Sequence, residues 1–263
     1  MKKIFFFVLV SCLLVSCSTV LLTGRKQLLL VSDSEVLTSS FQSYKQFIDS
    51  VPASKDKVNT ALVKKVGIKI SAVVEAYLKA NGMEADVANY AWEFNLVIDK
   101  SVNAFCMPGG KVVVFEGILP ITKNEVGLAV VLGHEIAHAV AKHSNERMSQ
   151  QMALQYGASI TDALLSNKPA ATRSAINTIY GLGAQYGVIL PYSRQHEYEA
   201  DRLGLIFLAM AGYDPNESIT FWERMAANSQ GAPMEFLSTH PSDANRIAKL
   251  KELLPEAMKY YKK

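Results

Sequence analysis

The chain has 263 residues, 49% of them hydrophobic and 19% charged, which is enough to bury a full core as an ordinary globular protein. Its formal net charge of +3 falls to +1 without Lys2 and Lys3, and basic runs such as Lys64-Lys65 are short. Nothing in that balance points to a polyanion partner, and nucleic acid is not expected.

Met1-Lys2-Lys3 is a basic start, and Ile4 to Val15 is an apolar run too short for a stable membrane span, the pattern of a signal peptide. It ends Leu14-Val15-Ser16-Cys17, which resembles the bacterial lipobox, whose cysteine is lipidated and becomes the first mature residue. The overlapping Leu9-Val10-Ser11-Cys12 leaves too short an apolar run, so Cys17 is the expected lipidation site. The competing reading is a secreted protein with an incidental cysteine. The expected organisation is a signal peptide over 1–16, a lipid-anchored tether over 17–31 and a single domain over 32–263. Ser18 after the cysteine points, by enteric-type sorting, to the outer membrane of a bacterial envelope, with the domain facing the periplasm. Processing at Cys17 leaves Cys106 as the one thiol, so no internal disulfide forms, and its apolar strand context makes it a small core residue.

Residues 18–31 read as an extended tether with a turn at Thr23-Gly24. Ser32-Asp33-Ser34-Glu35 offers caps for a helix reaching about Ile48. From Lys55 to Ala80, Val58, Leu62, Val66, Ile70, Val73, Val74 and Tyr77 recur at helical spacing, and Asn81-Gly82 supplies a left-handed stop. Tyr90, Trp92, Phe94, Leu96 and Ile98 then alternate with more polar neighbours as a strand does. Asn103 to Met107 and Lys111 to Phe115 flank Pro108-Gly109-Gly110, whose glycines permit a tight hairpin. This hairpin is either purely structural or an edge that receives an extended peptide as an added strand.

Thr122 to Asn145 reads as one helix, with Thr122 and Glu125 as a capping box before an apolar run. Its centre is His134-Glu135-Ile136-Ala137-His138. Two imidazoles four residues apart leave the same helix face and converge on one ion, with a carboxylate beside them as base for a water. Burying two histidines and a glutamate in so apolar a helix is costly unless they are paired or ligated. Two more helical stretches follow, about Glu146 to Leu165 and Pro169 to Leu190. In the second, Gly183 and Gly187 suit either close packing or a mobile cover, and Asn177 and Gln185 argue against a membrane span.

Pro191 closes that stretch, and a helix from about Ser193 to Ala211 carries His196, Glu197, Glu199 and Asp201. Here the third ligand is sought: Glu197 and Asp201 share a face, and Glu199 points away. Asp214-Pro215-Asn216-Glu217 starts another helix, and a loop from Ser229 to Pro241 leads to a last helix carrying Arg246. His240 in that loop has three readings: a donor to a developing oxyanion, a reversible extra ligand, or a surface residue. Ser144 and Ala141 stand where a metzincin needs histidine and glycine, which leaves a gluzincin with two His from one helix and a Glu from a later one. His143 lies well round the helix from His138 and reads as surface or supporting residue.

Together, Asn103-Ala104-Phe105 with Pro108-Gly109-Gly110, His134 to His138, Glu197-Tyr198-Glu199-Ala200-Asp201, and Ser238-Thr239-His240-Pro241 with Arg246 resemble the zinc metallopeptidases of the CAAX prenyl endopeptidase and HtpX-like group. The resemblance covers about residues 25–255 and is nearest the short periplasmic lipoprotein members. It implies an α+β, mainly helical, zincin-like gluzincin fold with a small sheet beside the H-E-x-x-H helix. It implies one Zn²⁺ per chain on His134, His138 and Glu197, supported by Asp201 and Arg246, with Glu135 and His240 catalytic. The substrate edge falls at Asn103, Ala104, Phe105, Gly109 and Gly110. Expected partners are protein or peptide substrates, misfolded or unassembled envelope proteins above all, with membrane contact through the lipid anchor only. Lacking a span of about twenty apolar residues, the chain departs from the membrane-embedded relatives that cleave prenylated proteins. The rival expectation is a proteolytically silent chaperone or adaptor on the same zinc-binding fold.

Overall fold

The computed structural model describes residues 17–20, 22–228, 236, 240 and 244–262. The expected signal peptide, the side chain of Cys17 and most of the Ser229 to Pro241 loop lie outside the described residues. The chain forms two compact units. One comprises the described residues up to Glu35 with His143–His196, the other Val36–Lys142 with the described residues from Glu197 onward.

In the first unit, β1 (Cys17–Thr19) pairs antiparallel with β2 (Lys26–Leu28), so the stretch read as a tether contains a short two-stranded ribbon. A helical hairpin carries most of this unit. The Tyr180 hydroxyl donates to the Leu154 carbonyl at 2.9 Å and lies where a Cβ on Gly157 would stand. Arg173 pairs with Asp162 at 2.6 Å nearer the hairpin's tip. A buried polar knot lies at the other end of the hairpin. Glu146 accepts from Arg25 Nη1 and Nη2 at 2.9 and 2.7 Å and stands 2.9 Å from His196 Nε2, and His143 stacks on His196 at 4.2 Å. His143 is therefore a fully buried packing residue, not a surface one.

The second unit is built on α1 (Asp33–Ser50), α2 (Lys57–Ala80) and a three-stranded sheet in the order β3-β5-β4. β3 (Glu93–Val97) runs parallel to β5 (Lys111–Phe115), and β4 (Ala104–Met107) runs antiparallel to it. The hairpin turn is as the glycines predict, with φ +85° at Gly109 and +83° at Gly110. β3 is shorter than its alternating sequence, ending before the exposed Ile98. On α2 the buried face is Val63, Val66, Gly67, Ile70, Val74 and Leu78, while Val58, counted in the apolar stripe, is 78% exposed. Gly67 is required on that face because the Phe94 ring of β3 lies directly against its backbone.

The helix expected from Thr122 to Asn145 is two helices: α3 (Glu125–Val140) and α4 (His143–Leu164). Lys142 between them adopts φ +56°, a left-handed residue at which the first helix ends. The N-cap is Asn124, not Thr122: Asn124 Oδ1 accepts from Gly127 N at 2.8 Å. Thr122 instead closes the short helical turn Leu119–Thr122 and donates its hydroxyl to Leu119 O. After α5 (Ala170–Ala184), the break expected at Pro191 is absent. A π-helical turn, Gln185–Ile189, carries the chain into α6 (Leu190–Met210), and that wider ladder tolerates the missing proline N–H. α7 (Glu217–Asn228) and α8 (Ala244–Ala257) complete the unit.

Candidate active site

The site forms where α3 and α6 cross almost backbone to backbone. A Cβ on Gly133 would stand 3.2 Å from Gly204 O, and one on Gly204 would stand 3.1 Å from His134 N, tighter than ordinary contact. Because two glycines meet, one turn of α3 faces one turn of α6. His134 and His138 then lie opposite Glu197 and Asp201, each pair four residues apart on its own helix.

His134 Nε2 and His138 Nε2 are 3.1 Å apart, and Glu197 places Oε2 3.3 Å from the first and Oε1 3.4 Å from the second. His240 Nδ1 comes within 3.1 Å of His134 Nε2 and 2.9 Å of Glu197 Oε2. Four donors held about 2.0–2.1 Å from one tetrahedral ion would be separated by about 3.3 Å. All four are buried, with ligand atoms within 4.8 Å of one another. Three imidazole nitrogens and a carboxylate are a donor set of the borderline kind that suits Zn²⁺.

Glu135 is 3% exposed, and its Oε1 has no hydrogen-bond partner; His240 Nε2 approaches it to 3.4 Å. Burial raises its carboxyl above the usual range, against the pull of His240 and His134. Burial lowers the His138 imidazole to about 3 despite Glu197, so this donor is neutral and ready to ligate. Burial would lower His134 too, but its hydrogen bonds to Asp201 and Glu197 outweigh it and hold that imidazole at about 9. A metal at His134 therefore competes with a proton there. Burial works against the Glu197 carboxylate, but His138 and His134 keep it ionised.

Around these donors, Asp201 Oδ1 accepts from His134 Nδ1 at 3.0 Å, which fixes the ring with Nε2 toward the other donors. Arg246 grips Asp201 bidentately, with Nε to Oδ2 and Nη2 to Oδ1 both at 2.8 Å. It also donates Nη1 to the His240 carbonyl at 3.3 Å and lies 3.4 Å over the Trp222 ring. Trp222, Phe236 and the glycine pair escape the motif reading. Trp222 packs edge-on to His134 at 5.9 Å, and Phe236 stacks near His240 at 4.6 Å, so both set imidazole positions. Gly133 and Gly204, each interrupting an apolar helix, are the one sequence signal for the crossing.

β4 packs against α3 and is an edge strand: among the described residues it pairs only with β5. Phe115 N donates to Asn103 O at 3.1 Å, so ladder alternation turns the N–H and C=O of Ala104 and Cys106 away from β5. Asn103 Oδ1 accepts the outward Ala104 N–H at 2.9 Å. Phe105 points to the opposite face, onto Phe47 of α1 at 5.2 Å, and Gly109 and Gly110 sit in the turn against Phe41 and Trp92. Burial and the nearby Glu135 carboxylate push the Cys106 thiol up, which fits an inert core cysteine and sets β4 beside Glu135.

Residues 68–254 match peptidase family M48. The chain belongs to this family. It is 41% identical over 190 residues to the mitochondrial metalloendopeptidase OMA1 of Schizosaccharomyces pombe, covering 72% of this chain and 53% of that one. It is 30% identical over 246 residues to human OMA1, covering 90% and 46%. The beta-barrel assembly-enhancing protease of Escherichia coli is 28% identical over 209 residues, covering 78% and 40%. The chain thus spans about half the length of these curated relatives. M48 metallopeptidases use zinc, and the four converging donors suit it.

Proposed function

We propose that this M48 member is a zinc-dependent endopeptidase that cleaves misfolded or unassembled proteins of the cell envelope, tethered there by a lipid on Cys17. Its place on the periplasmic side of the outer membrane and its nearness to the HtpX-like lipoprotein members belong to the same reading. The names of relatives as a mitochondrial metalloendopeptidase and a beta-barrel assembly-enhancing protease support a membrane-associated substrate class.

The observation that carries the reading is the set of four converging donors beside a buried carboxylate oxygen with no hydrogen bond. In this reading His134, His138 and Glu197 hold one Zn²⁺, whose chemistry is to acidify a water and polarise the scissile carbonyl. Glu135 takes the proton of the attacking water and passes it to the leaving amine. Asp201 and Arg246 hold His134 in the ligating tautomer. An extended substrate adds to the outward edge of β4, where pairing through backbone tolerates many sequences and fixes the scissile bond. Digestion of unfolded casein tests this: activity is expected to vanish on chelation and return with added zinc. Cleavage that survives complete zinc removal would sink the proposal.

His240 favours a second reading, in which a fully coordinated zinc serves a silent adaptor, because its Nδ1 stands among the donors where a water is needed. In the endopeptidase reading His240 is a reversible fourth donor, and only molecules with it displaced are competent. His240→Ala is then expected to raise casein turnover about tenfold by removing that competition. An inert His240→Ala protein that still binds unfolded clients would favour the adaptor.

A further inference from the structure

The α4–α5 hairpin of the first unit exposes apolar side chains that nothing in the site requires. On α4, Tyr156, Ile160 and Leu164 form one i, i+4 ridge, and Leu164 near the tip is 80% exposed. Ile179, Leu182 and Tyr186 are likewise exposed on α5 and the π turn, with Ile179 at 69%. A soluble face of this kind marks an interaction surface.

Charge indicates which partner. From Arg147 to Arg194 there are four basic residues and one acidic, Asp162, which Arg173 neutralises. Arg147, Lys168 and Arg194 are left exposed. Among the described residues no helix is long and apolar enough to cross a membrane. Apolar ridges with tyrosines, flanking cations and almost no free anion are the composition of a segment that lies in a bilayer interface. The same unit contains Cys17, the expected lipidation site.

We infer that the α4–α5 hairpin is a second membrane contact, laying its exposed apolar side chains against an anionic lipid leaflet. This rests on the lipid-anchor reading for what brings the unit to the bilayer. The anchor supplies proximity, and the hairpin then fixes orientation, since one acyl attachment leaves the domain free to swivel. Among the described residues nothing lies within 4 Å of a Cβ at Gly183 or Gly187.

The test places an indole at the tip. Full-length Leu164→Trp protein is bound to phosphatidylglycerol vesicles whose acyl chains are brominated. It is expected to lose most of the added tryptophan emission relative to unbrominated vesicles, and to lose less in phosphatidylcholine. Adding Ile160→Asp and Ile179→Asp should restore that emission while casein digestion is unchanged. Unquenched emission from vesicle-bound Leu164→Trp protein overturns the proposal. So does quenching that survives both aspartates, or aspartates that instead lower the protein's mass in solution by light scattering, which assigns the face to a second copy. The mass of the N-terminal peptide tests acylation of Cys17 separately. If that mass lacks acyl chains the anchor reading fails, and quenching of protein added from solution still decides the hairpin.

Discussion

Glu135→Gln is expected to retain zinc and lose casein cleavage by roughly 10²–10⁴-fold, the usual contribution of a positioned acid–base group. The substitution keeps the side chain's volume in a site where Glu135 is buried, so packing is preserved. It does not touch the four donors, His134, His138, Glu197 and His240, so metal content should be unchanged. What is lost is the capacity to hold a proton. Burial raises the carboxyl above its usual range, which moves a general base toward the working pH, and the amide has no such equilibrium. Zinc analysis beside a digestion assay checks the prediction. Undiminished turnover by a zinc-replete Glu135→Gln protein would remove Glu135 from the mechanism.

The proposed ligands were legible because metal chemistry constrains sequence locally: two histidines four apart on a helix leave one face, and Glu197 with Asp201 repeats that spacing. The hairpin turn was legible for a similar reason, since Gly109 and Gly110 supply the positive φ that a short connection needs. Helix ends were less so. Thr122 satisfied the capping-box pattern, yet Asn124 took the cap because the chain reverses at Lys123, with φ +63°. The split at Lys142 leaves no Gly or Pro to announce it. Long-range geometry was hardest to read. Nothing near His240 in sequence states that its ring reaches Glu197 across 43 residues, and nothing near Trp222 states that it stacks beneath Arg246. The exposed stripe on α4 was hidden differently: Tyr156, Ile160 and Leu164 have the spacing of an ordinary core stripe, and only their exposure separates the two.

Arg246→Ala is expected to damage stability and metal affinity together. The guanidinium is 1% exposed and makes two 2.8 Å bonds to Asp201, one at 3.3 Å to the His240 carbonyl, and a face contact with Trp222. Removing one partner of a buried ion pair leaves the other charge uncompensated, which costs about 3–5 kcal/mol. Asp201 would keep His134 Nδ1 as a partner, but that ring would no longer be held from behind. Loss of such outer support typically weakens metal binding by roughly 10–100-fold. The pH dependence has a definite sign. Burial opposes ionisation of Asp201, but Arg246 outweighs it and holds the carboxyl below its unfolded value. That contribution is present above the unfolded pKa and is lost as pH falls through the folded one, so without Arg246 acid unfolding should begin at higher pH. Arg246→Lys should recover only part of the loss, because an ammonium cannot make the paired bonds or stack flat on Trp222. Thermal melts with and without zinc across acidic pH measure all three effects. A variant that melts like the wild type and binds zinc as tightly would show that Asp201 alone orients His134.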